Sequence, residues 1–152
     1  MTDILDTMFP SVETIKIKYL PGAAHMEMTD KGDWCDCFSY KDVTLKKGEY
    51  GYVNLGFACQ LPAGYEAHLA PRSSTFKHFG VIQTNGVGII DESFNSNADL
   101  WMMPVYAMRD TVIKKGERPC QFRIMKKQPK IEFEEVKDLH NETRGGFGST
   151  GR

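Results

Sequence analysis

Asp91 stands directly after the apolar run Val87-Gly88-Ile89-Ile90, close behind the tight turn Asn85-Gly86. A carboxylate in that position is expected to be partly desolvated and held in one place, which suits a general base that activates water. The turn's backbone N–H and C=O groups, together with Asn85, could read the edge of a pyrimidine. A turn aspartate that merely ends a strand has the same local sequence and is the commoner case. A second segment, Ala70-Pro71-Arg72-Ser73-Ser74, follows an apolar run and ends on two hydroxyls. Arginine, hydroxyls and the free N–H groups of a helix start can make an anion site; the alternative is an exposed polar turn.

Three further segments carry groups of the same kind. In Gly116-Glu117-Arg118-Pro119-Cys120-Gln121-Phe122, a turn enters a strand and Gln121 could donate to phosphate, although an isolated glutamine is usually a surface or ladder residue. Gly32-Asp33-Trp34-Cys35-Asp36 sets two carboxylates near one aromatic ring. They could hold the waters of a hard cation, since Mg2+ keeps much of its hydration, or they form a solvated acidic loop. The tail Arg144-Gly145-Gly146-Phe147-Gly148-Ser149-Thr150-Gly151-Arg152 contains a formal G-x-G-x-x-G. A dinucleotide fold needs a strand before that motif and a helix after it, and neither is available here. Termini of this composition are usually disordered, yet this one couples phenylalanine with arginine and two hydroxyls. Small residues admit a phosphate to the backbone, and Phe147 can stack on a base.

The elements that would position these groups follow a period of two. Residues 14–20 alternate apolar and polar, as a half-buried strand does. Further strands are predicted over 50–60, 65–70, 80–83, 87–90, 100–107, 120–125 and 131–136. Turn signals separate them: Lys47-Gly48, Pro62-Ala63-Gly64, Asn85-Gly86 and Lys115-Gly116. Asn85-Gly86 predicts a hairpin with positive φ at both central positions. Residues 73–79 predict one short helix, with a serine available as N-cap. The fold class is therefore all-β, a sandwich or barrel. One domain over 1–152 is expected, with an N-terminal arm over 1–13 and a flexible glycine-rich arm over 141–152.

Composition narrows the function classes. Nineteen basic side chains against 20 acidic ones leave a net charge of -1, so no broad field attracts nucleic acid or an anionic membrane. Any polyanionic ligand must be held by local cations. No apolar stretch is long enough to span a bilayer, and the start has no signal-peptide layout, so a cytoplasmic protein is expected. Cys35, Cys37, Cys59 and Cys120 include no C-x-x-C pair, and free thiols are the expected state. The scattered His25, His68, His78 and His140 do not predict zinc.

Taken in order, the five segments resemble the five motifs of the homotrimeric dUTP diphosphatase family, from about Ile15 to the C-terminus. Residues 32–36 match the first motif, 71–74 the second, 85–94 the third, 116–121 the fourth and 145–151 the fifth. Residues 80–85 are also similar to the variety found in Bacillus and its phages. The resemblance implies a distorted jelly-roll or β-barrel with at most one short helix. It implies hydrolysis of dUTP to dUMP and pyrophosphate, limiting uracil in DNA and supplying dUMP for thymidylate synthesis. Asp91 would activate the water that attacks the α-phosphorus. Asn85 and the backbone around Gly88 would hold uracil, and Arg72, Ser73, Ser74 and Gln121 would serve the phosphates. Asp36 would contact Mg2+ through water, the ion riding on the triphosphate. Phe147 would stack on the base, while Arg144, Gly148, Ser149 and Thr150 would close over the γ-phosphate. The tail would cross to another protomer of a homotrimer.

Three positions depart from the family pattern. Phe94 stands where most members carry a tyrosine packed against deoxyribose, and its ring can still wall off a 2′-hydroxyl. Glu142 aligns with the usual tail arginine, so Arg144 sits two residues late. Pro119 and Cys120 replace residues that are more often apolar and small. Two other readings share these residues: a dCTP deaminase, which needs a proton-shuttling carboxylate near C4 of cytosine, and a non-catalytic binding protein on the same scaffold.

Overall fold

A computed structural model describes residues 12–151. The expected N-terminal arm falls outside them but for its last two residues, and Arg152 also lies outside. Eleven strands and one helix are present among the described residues. In chain order they are β1 (Lys16–Tyr19), β2 (Cys35–Cys37), β3 (Val43–Leu45), β4 (Tyr50–Asn54), β5 (Phe57–Gln60) and β6 (Tyr65–Pro71). Helix α1 (Thr75–Phe79) follows, then β7 (Val81–Gln83), β8 (Gly88–Ile90), β9 (Met102–Ala107), β10 (Thr111–Ile113) and β11 (Cys120–Lys126). The chain is thus nearly all-β with one short helix, as its alternation implies.

Every pairing is antiparallel. One sheet runs β2-β11-β6-β8 and another β4-β9-β7; β1 pairs with β5 and β10 with β3. On β6, Ala67 and Leu69 are buried while Glu66, His68 and Ala70 are half-buried on the other face. On β9, Met103, Val105 and Ala107 point inward and Met102 and Tyr106 outward. The inward rows meet in a core built around Trp101, whose ring centroid lies 4.9 Å from Phe57 and 5.2 Å from Phe122. Burying a ring of this size contributes about 1.5–3 kcal/mol. Backbone bonds hold Trp101 in place: its N–H donates to the Phe57 carbonyl (3.0 Å), and the Trp101 carbonyl accepts from Leu55 N–H (3.0 Å). All four cysteines are free and buried. Among the described residues no helix is long and apolar enough to cross a membrane.

Several expected elements are corrected. The predicted strand over 50–60 is two strands in different sheets, broken at Leu55-Gly56, a bend that alternation alone does not reveal. Strands β2, β3 and β10 went unpredicted, because three residues are too few to display a period. No strand forms over 131–136; Ile131, Phe133 and Val136 are all exposed, and among the described residues the segment pairs with nothing. A strand is stable only with a neighbour. Helix α1 is shorter than 73–79. Ser74 occupies its N-cap without a side-chain capping bond.

The Asn85-Gly86 turn exists, but it does not join a hairpin. Strand β7 pairs with β9 and β8 with β6, so the turn carries the chain from one sheet to the other. Gly86 has φ 66°, whereas Asn85 is not among the described residues of positive φ. Gly86 N–H reaches the Gln83 carbonyl at 3.3 Å, and Val87 N–H reaches that of Asn85 at 2.7 Å.

Candidate functional site

The sheet crossover at 84–87 opens a cleft of about 650 Å³, within the usual range for a small-molecule site. Asn85, Gly88, Asp91 and Phe94 all line it, with Trp101 and Tyr52 on its other walls. Four residues singled out from the sequence are therefore brought together. Gly88 is buried, and a Cβ there would sit 3.1 Å from that of Leu69, so a side chain would crowd β6.

Asp91 is tethered by its own turn. Ser93 N–H donates to Asp91 Oδ1 at 2.9 Å, and Phe94 N–H donates to the Asp91 carbonyl at 3.0 Å. An aspartate side chain that bonds the N–H two residues on makes such a turn favourable. The Ser93 N–H, then its hydroxyl, and more distantly the Lys127 charge hold the Asp91 carboxyl below the ordinary range. Asp91 is exposed in its own chain, so the expected desolvation acts only as a smaller, opposing influence, and its fixed position comes from hydrogen bonds. Beside it, Lys127 pairs with Glu92, which lowers the glutamate and raises the lysine. Neither Ser93 nor the Lys127–Glu92 pair was foreseen. The Asp-x-Ser spacing was the available signal for the first; the second joins residues 35 positions apart.

A second group forms elsewhere on the same sheet. Asp36 Oδ1 lies 3.1 Å from Arg72 Nε, and its Oδ2 lies 3.1 Å from Arg118 Nη1. Arg72 Nη1 also donates to the Arg118 carbonyl at 3.2 Å. Gln121 faces Asp36 in register and donates to the Pro71 carbonyl at 3.2 Å. The buried hydroxyl of Thr75, which sequence reasoning passed over, ties this group together. It accepts from Arg72 N–H (2.7 Å) and donates to the Pro119 carbonyl (2.8 Å). Ser73 is exposed and Ser74 half-buried beside it. Asp36 and Arg118 share a hollow of about 180 Å³ with Trp34. Asp33, the other acid of that segment, pairs with Arg123 at 2.9 Å.

The two groups do not meet within one chain. Ile90 pairs with Ala67 and Cys120 with Pro71, four residues apart on β6, which is about 13 Å of strand. Asp91 and Arg72 leave from the outer sides of those two points. The tail meets neither group. Phe147 is fully exposed at φ 50°, and Ser149 N–H bonds only to the Gly146 carbonyl of the same turn (3.1 Å). Arg144, Gly148 and Thr150 are likewise exposed.

Among the described residues no three His, Cys, Asp or Glu side chains gather closely enough to hold an ion. The donor set does not make a resident cage. One carboxylate at the edge of a hollow, Asp36, fits an ion that brings its own waters and phosphate ligands.

A family model described as dUTPase matches residues 35–151. The chain is 56% identical over 138 residues to the SPbeta prophage-derived deoxyuridine 5'-triphosphate nucleotidohydrolase YosS of Bacillus subtilis (strain 168), covering 90% of this chain and 97% of that protein. Among solved structures, it is similar to a point mutant of the Staphylococcus bacteriophage 80alpha dUTPase with dUpNHpp, at a TM-score of 0.76 and 20% identity, over 93% of this chain and 100% of that one. It is also similar to a point mutant of the dUTPase from phage phi11 of S. aureus, whose structure concerns the coordination of a structural Mg(II) ion. There the TM-score is 0.70 at 18% identity, over 84% of this chain and 99% of that one. These matches agree with the order of the five motifs and with the all-β fold: the chain belongs to the dUTPase family.

Proposed function

We propose that this enzyme converts dUTP to dUMP and pyrophosphate by attack of an Asp91-activated water on the α-phosphorus. The observation that carries the reading is an ionised, tethered Asp91 on the wall of a nucleoside-sized cleft that Asn85, Gly88 and Phe94 also line. A base aimed at its water needs no histidine. Asn85 and the turn backbone receive uracil, and the Phe94 ring stands against deoxyribose where a 2′-hydroxyl would clash. Arg72, Ser73, Ser74 and Gln121 serve the phosphates, since phosphoryl transfer asks mainly for positioning and charge neutralisation. Mg2+ belongs to the substrate, where it neutralises triphosphate charge, and Asp36 meets it through water. Hydrolysis removes dUTP, which limits uracil in DNA, and furnishes dUMP for thymidylate synthesis.

The active unit is a homotrimer. Asp91 and Arg72 lie too far apart in one chain to serve one reaction centre, so the phosphate group comes from a neighbouring subunit. The C-terminal segment supports the same conclusion: Ile131, Phe133, Val136 and Leu139 are exposed on their own chain and find cover on another. The tail, with Arg144, Phe147, Gly148, Ser149 and Thr150, then closes as a lid, stacking Phe147 on the base and excluding bulk water.

One assay tests the whole reading. The full chain and a chain ended at residue 143 are incubated with Mg2+ and either dUTP or dCTP, and pyrophosphate and ammonia are measured separately. The full chain is expected to release pyrophosphate from dUTP and no ammonia from dCTP. The shortened chain should remain a trimer with kcat/KM down about a hundredfold, within the range attributed to positioning. Ammonia from dCTP without pyrophosphate from dUTP would overturn the assignment, and unchanged kinetics in the shortened chain would remove the lid.

A further inference from the structure

The cleft contains an amide whose orientation is fixed from behind by a residue that does not line it. Gln83 is 8% exposed, and its Nε2 lies 2.9 Å from the Leu69 carbonyl and 2.9 Å from Asn85 Oδ1, with the Gly86 carbonyl at 3.4 Å. A backbone carbonyl only accepts, so the Gln83 atom facing Leu69 must be the nitrogen. That nitrogen only donates, so the Asn85 atom facing it must be the oxygen. Asn85 is left with its NH2 group on the far side, 3.5 Å from the point that a Cβ of Gly88 would occupy. Asn85 is exposed and lines the cleft, so its NH2 group, turned away from the Gln83 nitrogen, is the part of the amide left for a ligand. Gln83 Oε1 is buried and has no partner among the described residues, so the side chain is held by its donor end.

We infer that Gln83 is a positioning residue that sets base specificity, by locking Asn85 so that it offers the cleft donors and no acceptor. This rests on the reading of the cleft as the pyrimidine site. A locked NH2 group pairs with a carbonyl of the base and meets an amino group as donor against donor. Uracil carries a carbonyl at C4 and cytosine an amino group, so a fixed Asn85 accepts the first and rejects the second. An asparagine free to rotate would serve either base by exchanging its oxygen for its nitrogen. The Leu69–Gln83–Asn85 relay removes that freedom. It also joins β6 and β7, which belong to the two different sheets the cleft divides.

The test compares kcat and KM for dUTP and dCTP, read as pyrophosphate release, in the full chain, Gln83→Met, Asn85→Ala and the double variant. Gln83→Met conserves volume and removes the relay. It is expected to raise KM for dUTP about tenfold, the scale of one lost hydrogen bond, with kcat changed less than about threefold. The preference for dUTP over dCTP in kcat/KM should fall about tenfold as well. On the Asn85→Ala background, Gln83→Met should alter that preference no further, because Gln83 acts through Asn85. A merely structural role would lower the melting temperature and leave the preference intact; that result, with the preference lost in Asn85→Ala, overturns the inference and spares the cleft reading. An undiminished preference in Asn85→Ala itself overturns the cleft reading and the inference with it. If Gln83→Met does not fold, Gln83→Asn, one methylene too short to span Leu69 and Asn85, carries the same expectations.

Discussion

Asp91 and Asp36 are two carboxylates associated with one four-stranded sheet, and their surroundings separate them completely. Asp91 follows the edge strand β8, is exposed, and receives one close N–H from its own turn. Lys127, whose charge acts on it, is already engaged by Glu92. Asp36 sits on the opposite edge strand, β2, and each of its oxygens faces a different arginine at 3.1 Å. A carboxylate between two guanidiniums holds them in place, and only its remaining lone pairs are left for the waters of an ion. A carboxylate held only by amide and hydroxyl donors keeps lone pairs free for a water. The same side chain is thereby suited to proton removal at one end of the sheet and to framing phosphate ligands at the other.

The sharpest way to break that contrast is Asp91→Asn. The amide fills the same space and can accept from Ser93 N–H, but it cannot take a proton from water. The expected outcome is a fall in kcat of about a thousandfold, within the span attributed to general-base catalysis. Nucleotide binding and oligomer size should be unchanged, as measured by calorimetry and gel filtration. Full activity in this variant would remove Asp91 from the chemistry and leave its difference from Asp36 without consequence.

Much of this contrast was legible in the residues before the fold was known. Asp91 after Ile89-Ile90 and the Arg72-Ser73-Ser74 turn stood out because each sets rare chemical groups against an apolar run. What the linear pattern lacked was partnership. Asp36 read as a ligand for cation waters, and nothing local shows that Arg72 and Arg118 also converge on it from 36 and 82 positions away. Gln83 read as a strand residue because its role depends on a carbonyl of another strand. The Asn85-Gly86 signal correctly marked a turn, but turn chemistry does not say whether the flanking strands pair with each other or with β6 and β9. Residues 131–136 alternate as a strand does, and that pattern reports a capacity for pairing whose partner is not found among the described residues.

A smaller effect is expected from Asp36→Asn. Removing this charge leaves Arg72 and Arg118 facing one another with only an amide between them, so both become less well placed for phosphate. KM for dUTP with Mg2+ should rise about tenfold while kcat falls less than about fivefold, a loss of positioning rather than of chemistry. Steady-state kinetics at two salt concentrations check this, because freed surface cations respond more strongly to screening. Should Asp36→Asn cut kcat as deeply as Asp91→Asn at unchanged KM, the two carboxylates would share one role.

The least effect, and the finest probe of what distinguishes Asp91, comes from Ser93→Ala. The Ser93 N–H is the larger influence on the Asp91 carboxyl and survives the substitution; the hydroxyl is the smaller and is lost. Both lower the carboxyl below its ordinary range, so both keep the base ionised further into acid. A base works when deprotonated, and activity therefore disappears as pH falls through its value in the folded enzyme. Losing one lowering influence must move that acid limb upward, toward the ordinary carboxylate range but not beyond it, with the activity at neutral pH unchanged. The profile of kcat/KM against pH, compared with that of the parent enzyme, reads the shift directly. A limb that stays fixed or moves to lower pH would mean that the group titrating there is not Asp91, and that its tethering by Ser93 has no part in the reaction.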